Sequence, residues 1–159
     1  MGKEVLPEVQ MHITRGFLVV PAQGELHDEF VLQMQHDILT KLYTSGVKGL
    51  IIDVSGVNVI DSFIAHAIFD IAKMAALLGA KTAVTGIRPG VAASLIDLDF
   101  EPDYDHLFTA INLEEGFRIL ESIAPAREEL TEDEEEIVPK EGPEMSTDLE
   151  TGRSEDAEK

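Results

Sequence analysis

Short apolar segments alternate along this chain with longer segments of helical period, and this alternation constrains the fold most strongly. The predicted strands cover residues 9–14, 17–20, 49–54, 81–84 and, as a short segment, 107–108. The predicted helices cover residues 27–45, 63–78, 89–98 and 113–123, the last one capped by Asn112. Two strands joined at Arg15-Gly16 open this order, and helices and strands then alternate. We therefore expect an α/β fold in which a mixed sheet of four to five strands packs against about four helices.

The distribution of charge separates a folded region from a C-terminal tail. The 159 residues carry a net charge of −19, from 31 acidic and 12 basic side chains. Residues 125–159 alone hold 14 of the acidic and 4 of the basic side chains, including the run Glu132-Asp133-Glu134-Glu135-Glu136. A segment so charged and so poor in apolar residues cannot bury a core. The sequence thus predicts a folded domain over residues 1–124 and a disordered acidic tail over residues 125–159.

Composition and charge exclude several classes of function. Neither region offers a basic surface, so we expect no binding to nucleic acid or to an anionic membrane. The chain has no cysteine, which excludes disulfides, thiol nucleophiles and cysteine-ligated metals. The N-terminus, Met1-Gly2-Lys3-Glu4-Val5, lacks the apolar core of a signal peptide, and no apolar run reaches the roughly 18 residues of a membrane span. These features are typical of a cytoplasmic bacterial protein.

A lone hydroxyl stands where one predicted strand has ended and a strongly apolar helix begins. Asp61 and Ser62 directly precede Phe63, and either side chain is suited to cap the helix. The free backbone N–H groups and the dipole at a helix N-terminus favour negative charge. A phosphate attached to Ser62 would therefore be stabilised there. From the residues alone, Ser62 is either part of the cap or a site of phosphorylation.

The helix after Ser62 is apolar around most of its circumference. Its polar residues before Leu78 are His66, Asp70 and Lys73, whose spacing gives one narrow solvated stripe. A helix that packs on a sheet needs an apolar arc of only a little over roughly 100°. A neighbouring helix or another subunit must cover the remaining apolar side chains, and the sequence leaves both alternatives open.

No pattern of residues indicates a catalytic, metal or cofactor site. The histidines lack the spacing of zinc ligands; they are His12, His27, His36, His66 and His106. The segment from Gly86 to Gly90 lacks the Lys-Ser/Thr pair of a phosphate-binding loop, and we expect it to lead into a helix with Arg88 exposed. No G-x-S-x-G motif surrounds Ser62, so a serine hydrolase is not indicated.

A phospho-aspartate receiver is the strongest enzyme-like alternative, because Asp53 ends a buried strand as the acceptor of such a domain would. The segment Leu18-Val19-Val20-Pro21-Ala22, however, contains no carboxylate that could help to hold magnesium. Lys81 begins its strand, whereas a receiver would need it at the end of one. A hydroxyl acceptor served by an external kinase therefore fits the residues better than Asp53.

Four motifs, in this order along the chain, resemble a STAS domain. They are Ile52-Asp53-Val54-Ser55-Gly56-Val57, Ile60-Asp61-Ser62-Phe63-Ile64-Ala65, Leu78-Gly79-Ala80-Lys81 and Thr85-Gly86-Ile87-Arg88-Pro89. The resemblance covers residues 9–123, and more narrowly the chain resembles the RsbS type of STAS protein found in bacterial stressosomes. It implies a STAS fold and a non-enzymatic role as a scaffold and antagonist, without cofactor or metal.

The resemblance implies that the chain assembles with itself and with RsbR-type paralogues into a shell that sequesters an RsbT-type serine kinase. Phosphorylation of STAS residues under stress then releases the kinase, and an RsbX-type phosphatase resets the state. Ser62 matches the phosphorylated position of the RsbS type, and Ser94 falls near a second such position of the RsbR type. The residues expected to surround this switch and to face a partner are Asp61, Phe63, Ile64, His66 and Arg88.

The chain departs from the RsbS pattern at His66, which stands where a basic residue is expected and is similar to the RsbR type. RsbR-type members carry an N-terminal sensor domain, whereas few residues precede the first predicted strand here, and this favours the RsbS role. A free-standing anti-sigma factor antagonist, also a STAS protein, is the alternative. Such a protein would bind one anti-sigma kinase in a small complex.

Overall fold

The computed structural model describes residues 8–98 and 105–123, and the predicted order of strands and helices is confirmed there. The strands are β1 (His12–Thr14), β2 (Phe17–Gly24), β3 (Gly49–Val57), β4 (Lys81–Thr85) and β5 (Leu107–Ala110). The helices are α1 (Asp28–Ser45), α2 (Ser62–Leu77), α3 (Pro89–Asp97) and α4 (Leu113–Ile123). The predicted acidic tail, residues 125–159, lies outside the described residues.

The five strands form one mixed sheet whose spatial order follows the chain, β1-β2-β3-β4-β5. β1 and β2 pair antiparallel around the turn at Arg15-Gly16. All other neighbours pair parallel, so that Val20 lies opposite Ile52 and Ile52 lies opposite Val84. A helix fills each parallel connection, as a crossover between parallel strands requires. The C-terminal ends of β2 to β5 therefore lie at the same side of the sheet, which we call the carboxyl edge.

Helices cover both faces of the sheet. Successive side chains of a strand point to opposite faces, so each strand contributes to both cores. Leu18 and Val20 pack with residues of α1 and α2 on one face, whereas Phe17 and Val19 pack with α4 on the other. The continuous apolar run over residues 17–20 is typical of strands that are covered on both sides. The sheet thus forms a rigid base from which the loops at the carboxyl edge extend.

Two strands are longer than the sequence predicts, since β2 continues to Gly24 and β3 continues to Val57. Residues 17–20 predict the start of β2 and leave its end open; Pro21 lies within the strand although proline lacks an N–H group and is normally excluded from a central ladder. Pro21 lies opposite Asp53 of β3, and the register of the two strands shifts between Pro21 and Gln23. β1 is shorter than predicted and begins at His12.

The apolar circumference of α2 is covered largely from within the chain. α1 packs beside α2, and Phe69 belongs to the main core. Phe63 at the start of α2 remains 39% exposed and Leu77 at its end 87% exposed. A neighbouring helix therefore covers the middle of α2, while both of its ends keep apolar surface in contact with solvent.

Thr82 and Thr85 of β4 are fully buried and, within the described residues, their hydroxyl groups have no hydrogen-bond partner. An unpaired buried hydroxyl costs about 1–3 kcal/mol of lost solvation. We expect Thr82→Val, which keeps the branched shape and removes the hydroxyl, to raise the free energy of unfolding by about 1 kcal/mol and the melting temperature by about 4 °C. Urea and thermal unfolding measure both quantities.

The control for this substitution is Thr14→Val, at the partly exposed end of β1, which should change the free energy of unfolding by less than about 0.5 kcal/mol. A clear loss of stability in Thr82→Val, with the control unchanged, would show that the Thr82 hydroxyl is hydrogen-bonded in solution.

Candidate phosphorylation site

Ser62 is the first residue of α2 and lies at the carboxyl edge, five residues after Val57, the last residue of β3. The short connection from β3 to α2 brings the chain to the surface there, and Val59 within it is 72% exposed. Ser62 itself is exposed. The fold therefore places this hydroxyl at the surface, on an element that is anchored in the core.

Asp61, and not Ser62, caps α2. The Asp61 Oδ1 atom accepts a hydrogen bond from the backbone N–H of Ile64 at 2.9 Å, and the Asp61 carbonyl accepts the first helical bond, from Ala65, at 3.0 Å. Within the described residues the Ser62 hydroxyl makes no hydrogen bond. Of the two alternatives that the sequence leaves open for the cap, the structure thus selects Asp61. The hydroxyl of Ser62 is left accessible to an incoming group.

The first turn of α2 provides a favourable environment for an anion on Ser62. The N–H groups of Ser62 and Phe63 have no acceptor inside the helix, because the first turn of a helix cannot supply one. The first turn contains no acidic side chain. His66 lies one turn further along the same face and donates from Nδ1 to the Ser62 carbonyl oxygen at 2.6 Å. The one negative charge beside Ser62 in sequence is the capping carboxylate of Asp61.

The β4–α3 loop packs against the segment that leads to Ser62. Gly86 in this loop has a φ of +78°, and a Cβ atom there would lie 2.7 Å from the Cβ atom of Ser55 and 2.8 Å from Oδ1 of Asp53. The exposed Arg88 reaches across from this loop, and its Nη1 atom donates to Oδ1 of Asn58 at 2.9 Å. The loop that carries Arg88 and the connection that leads to Ser62 are therefore held together.

A hollow of about 330 Å³ lies between the β2–α1 loop and the β3–α2 connection. Its described lining includes Glu25 and His27 on one side and Asn58 and Asp61 on the other. No motif in the sequence points to the β2–α1 loop or to Asn58. The strand order could have indicated them, because the C-terminal ends of neighbouring parallel strands meet at one edge of a sheet, and the loops that follow β2 and β3 therefore lie side by side.

Most of the residues predicted to face a partner are at the surface, but one is not. Asp61, Phe63, His66 and Arg88 are exposed. Ile64 is only 4% exposed and packs in the core, so the prediction that its side chain faces outwards is wrong. α2 packs on the sheet from its first turn onward, and Ile64 lies on the side of the helix that faces the sheet. Ile64 contributes to the site through its N–H group.

Ser94, the second predicted position, lies in α3 and is partly buried. Its Oγ atom donates to the carbonyl oxygen of Gly90 at 3.0 Å, a bond to the preceding turn of its own helix. The hydroxyl of Ser94 is thus engaged in a local hydrogen bond, in contrast to that of Ser62.

Asp53 would be the phosphate acceptor under the alternative hypothesis of a receiver domain. It is partly buried, and its Oδ1 atom accepts a hydrogen bond from the backbone N–H of Ser55 at 3.0 Å. In residues 8–98 and 105–123, no group of three or more histidine, aspartate or glutamate side chains is arranged to hold a metal ion. None of the helices in the same ranges has the length and apolar character needed to cross a membrane.

The capping role of Asp61 can be separated from its charge. We expect Asp61→Ala to lower the free energy of unfolding by about 1 kcal/mol, because the N–H group of Ile64 loses its acceptor. Asp61→Asn keeps an oxygen in the same place and should stay within a few tenths of a kcal/mol of the wild type, since asparagine caps as well as aspartate. Urea unfolding measures both. Equal stability of Asp61→Ala and the wild type would contradict the assignment of the cap.

The chain matches the STAS domain family over residues 8–113. An RsbS variant from Moorella thermoacetica superposes with a TM-score of 0.65 at 31% identity, covering 74% of this chain and 98% of that one. A chain in a solved structure of the stressosome, described there as a signal integration and transduction hub, gives a TM-score of 0.62 at 33% identity. That match covers 72% of this chain and 98% of the stressosome chain.

A relative from Bacillus subtilis is the RsbT co-antagonist protein RsbRD, which is 29% identical over 127 residues. The match covers 75% of this chain and 45% of RsbRD, so the chain spans less than half the length of that relative. The family match extends over more than half of the chain, and both solved relatives exceed 30% identity over nearly their whole length. The chain therefore belongs to the STAS domain family, and it is an RsbS-like member of that family.

Proposed function

We propose that this chain is a non-enzymatic scaffold of a bacterial stressosome, and that it holds an RsbT-type serine kinase until Ser62 is phosphorylated. The observation that carries the proposal is the accessible hydroxyl of Ser62, which lies at the first residue of α2 while Asp61 performs the capping. The similarity to RsbS, to a stressosome chain and to an RsbT co-antagonist supports a scaffold role in stress signalling.

Release of the kinase follows from the charge that a phosphate adds. A phosphoserine carries roughly −1.5 to −2 charges at neutral pH, and at Ser62 this charge adjoins the carboxylate of Asp61. A partner surface seated on the carboxyl edge would have to remove water from both groups, which is costly unless new cations pair with them. A hundredfold loss of affinity requires only about 2.8 kcal/mol. One phosphate at the contact can supply that difference.

The proposed contact surface surrounds Ser62 at the carboxyl edge and comprises Asp61, Phe63, His66 and Arg88. Val59 extends it, because this valine is 72% exposed directly beside Asn58, the partner of Arg88. Phe63, at 39% exposure, supplies an aromatic anchor of the kind that dominates many interfaces. Ser94 stays a second candidate for phosphorylation. Its hydroxyl must first break the hydrogen bond that it donates to the carbonyl oxygen of Gly90.

The wider assembly completes the proposal. RsbR-type STAS paralogues are the proposed co-components, and an RsbX-type phosphatase is the proposed enzyme that restores the hydroxyl of Ser62. Residues 1–124 form the STAS domain in this proposal, and residues 125–159 form a separate acidic tail.

The size of the assembly tests the scaffold role. Mixed with an RsbR-type paralogue, the chain should form particles on the megadalton scale, which mass photometry or sedimentation velocity detects. The matched control is the chain without the paralogue. A stable monomer or dimer in the presence of both paralogue and kinase would contradict the scaffold role and would favour a free-standing anti-sigma factor antagonist.

A further inference from the structure

An apolar cavity of about 230 Å³ lies between α2, α3 and the strands β4 and β5. The sheet contributes Val84, Leu107 and Thr109, and the two helices form the walls. The remaining described lining residues are Ile60, Ala65, Ile68, Ile87, Ala92, Leu95 and Ile96. Part of the wall is open to solvent, since Ala92, Ile96 and Thr109 are exposed, and Ser62 is not among the described lining residues.

The lining determines what the cavity can accept. Among the described lining residues Thr109 alone carries a polar side chain, and none is charged. A phosphate, a carboxylate or an ammonium group would lose its solvation there without gaining a partner. A cavity of roughly 150 Å³ lined by aliphatic and aromatic side chains stays dry and binds benzene. This cavity is larger, about 230 Å³, and partly open to solvent, so it has room for an uncharged apolar molecule somewhat larger than benzene.

The packing of α3 leaves this space unfilled. Val91 is the one buried residue of α3, a helix that is described over its whole length. Leu95 packs only partly against the core, and Ile96 is 75% exposed although it borders the cavity. A molecule in the cavity would give α3 apolar contacts that residues 8–98 and 105–123 do not supply.

The cavity also adjoins the elements that hold Ser62. Ile60 and Ala65 line it from either side of the first turn of α2. Ile87 lines it from the β4–α3 loop, next to Arg88, which donates to Asn58. An occupant would therefore contact both segments that meet beside Ser62.

We propose that this cavity is a binding site for a small, uncharged apolar molecule, of the size of a bicyclic aromatic compound. Its occupancy steadies α3 and the β4–α3 loop. The site lies beyond the proposed scaffold role, because it requires neither the kinase nor the phosphorylation of Ser62.

Indole serves as the probe. At a free indole concentration ten times the dissociation constant, the melting temperature of the full chain should rise by about 5 °C. Amide hydrogen exchange should slow in α3 and in residues 86–88. Indole-3-carboxylate should produce neither effect, because its carboxylate cannot be buried without a partner.

Ala65→Leu fills the cavity from the buried side of α2, since Ala65 is only 4% exposed, and should abolish the effects of indole. Ala92→Leu does the same from the opposite wall and replaces it if Ala65→Leu fails to fold. Ala93→Leu is the matched control, because Ala93 is an exposed neighbour in α3 outside the lining, and it should bind indole like the wild type.

Two results would overturn the proposal. One is the absence of saturable indole binding to the wild-type chain. The other is equal binding by the wild type and by both folded cavity-filling variants, since indole would then bind elsewhere. Neither measurement involves the kinase, so a negative result would leave the proposed function of Ser62 intact.

Discussion

Ser62→Ala is expected to retain the kinase permanently, and Ser62→Asp is expected to bind it about tenfold more weakly than the wild type. Alanine removes the acceptor without disturbing the cap, because Asp61 holds the N–H group of Ile64. Aspartate adds one charge, fewer than a phosphate, so its effect should be smaller than the roughly hundredfold loss expected for phosphoserine. Binding of the kinase before and after addition of ATP, followed by surface plasmon resonance, measures these differences.

Ser45→Asp is the matched control for this pair of variants. Ser45 is also an exposed serine, but it ends α1 at the side of the sheet opposite to the carboxyl edge. A charge there should leave the affinity for the kinase unchanged. If Ser62→Asp and Ser45→Asp bind the kinase equally, and Ser62→Ala releases it with ATP as the wild type does, then Ser62 is no switch.

Gly86→Ala should lower the free energy of unfolding by about 2–4 kcal/mol, the largest change in stability that we expect from a single substitution at the site. Two costs combine at this position. The φ of +78° is unfavourable for any residue with a Cβ atom, and that atom would lie within 3.0 Å of Ser55 and Asp53. Thermal and urea unfolding measure the loss. The same variant should weaken kinase binding, since Arg88 would lose its position beside Asn58.

Gly90→Ala is the control for the glycine substitution. Gly90 lies in the first turn of α3, and a Cβ atom there meets no atom within 4 Å. Alanine is also the better helix former, so the variant should equal or exceed the stability of the wild type by up to about 1 kcal/mol. Equal effects of Gly86→Ala and Gly90→Ala would show that the β4–α3 loop is not packed as the structure has it.

The sequence was sufficient to predict the order of the elements, because strands buried on both faces and amphipathic helices leave different periods in it. The cap of the last helix is an example, since the predicted Asn112 accepts from the backbone N–H of Glu115 at 2.9 Å. The sequence predicted the start of β2 and not its end, because the register shift beyond Pro21 depends on pairing with β3. Such tertiary pairing leaves no local pattern.

The candidate site was predicted in part. The position of Ser62 follows from local signals, namely the end of an apolar strand, a capping residue and an apolar helix. The inward direction of Ile64 depends on how α2 is rotated on the sheet, and the contact between Arg88 and Asn58 joins residues from two different loops. Neither can be read from spacing along one segment. The apolar cavity depends on how closely α3 packs, which is set by three elements together.

Above all, we propose that one hydroxyl, at Ser62, controls retention of the kinase. It is tested most directly by incubating the assembled chain, its RsbR-type paralogue and the RsbT-type kinase with ATP. Phosphate at each serine and threonine is then quantified by mass spectrometry, and released kinase is quantified in the same samples. We expect that phosphate appears on Ser62 and that the fraction of released kinase follows it over time. Release of the kinase while Ser62 stays unmodified would show that another event frees it.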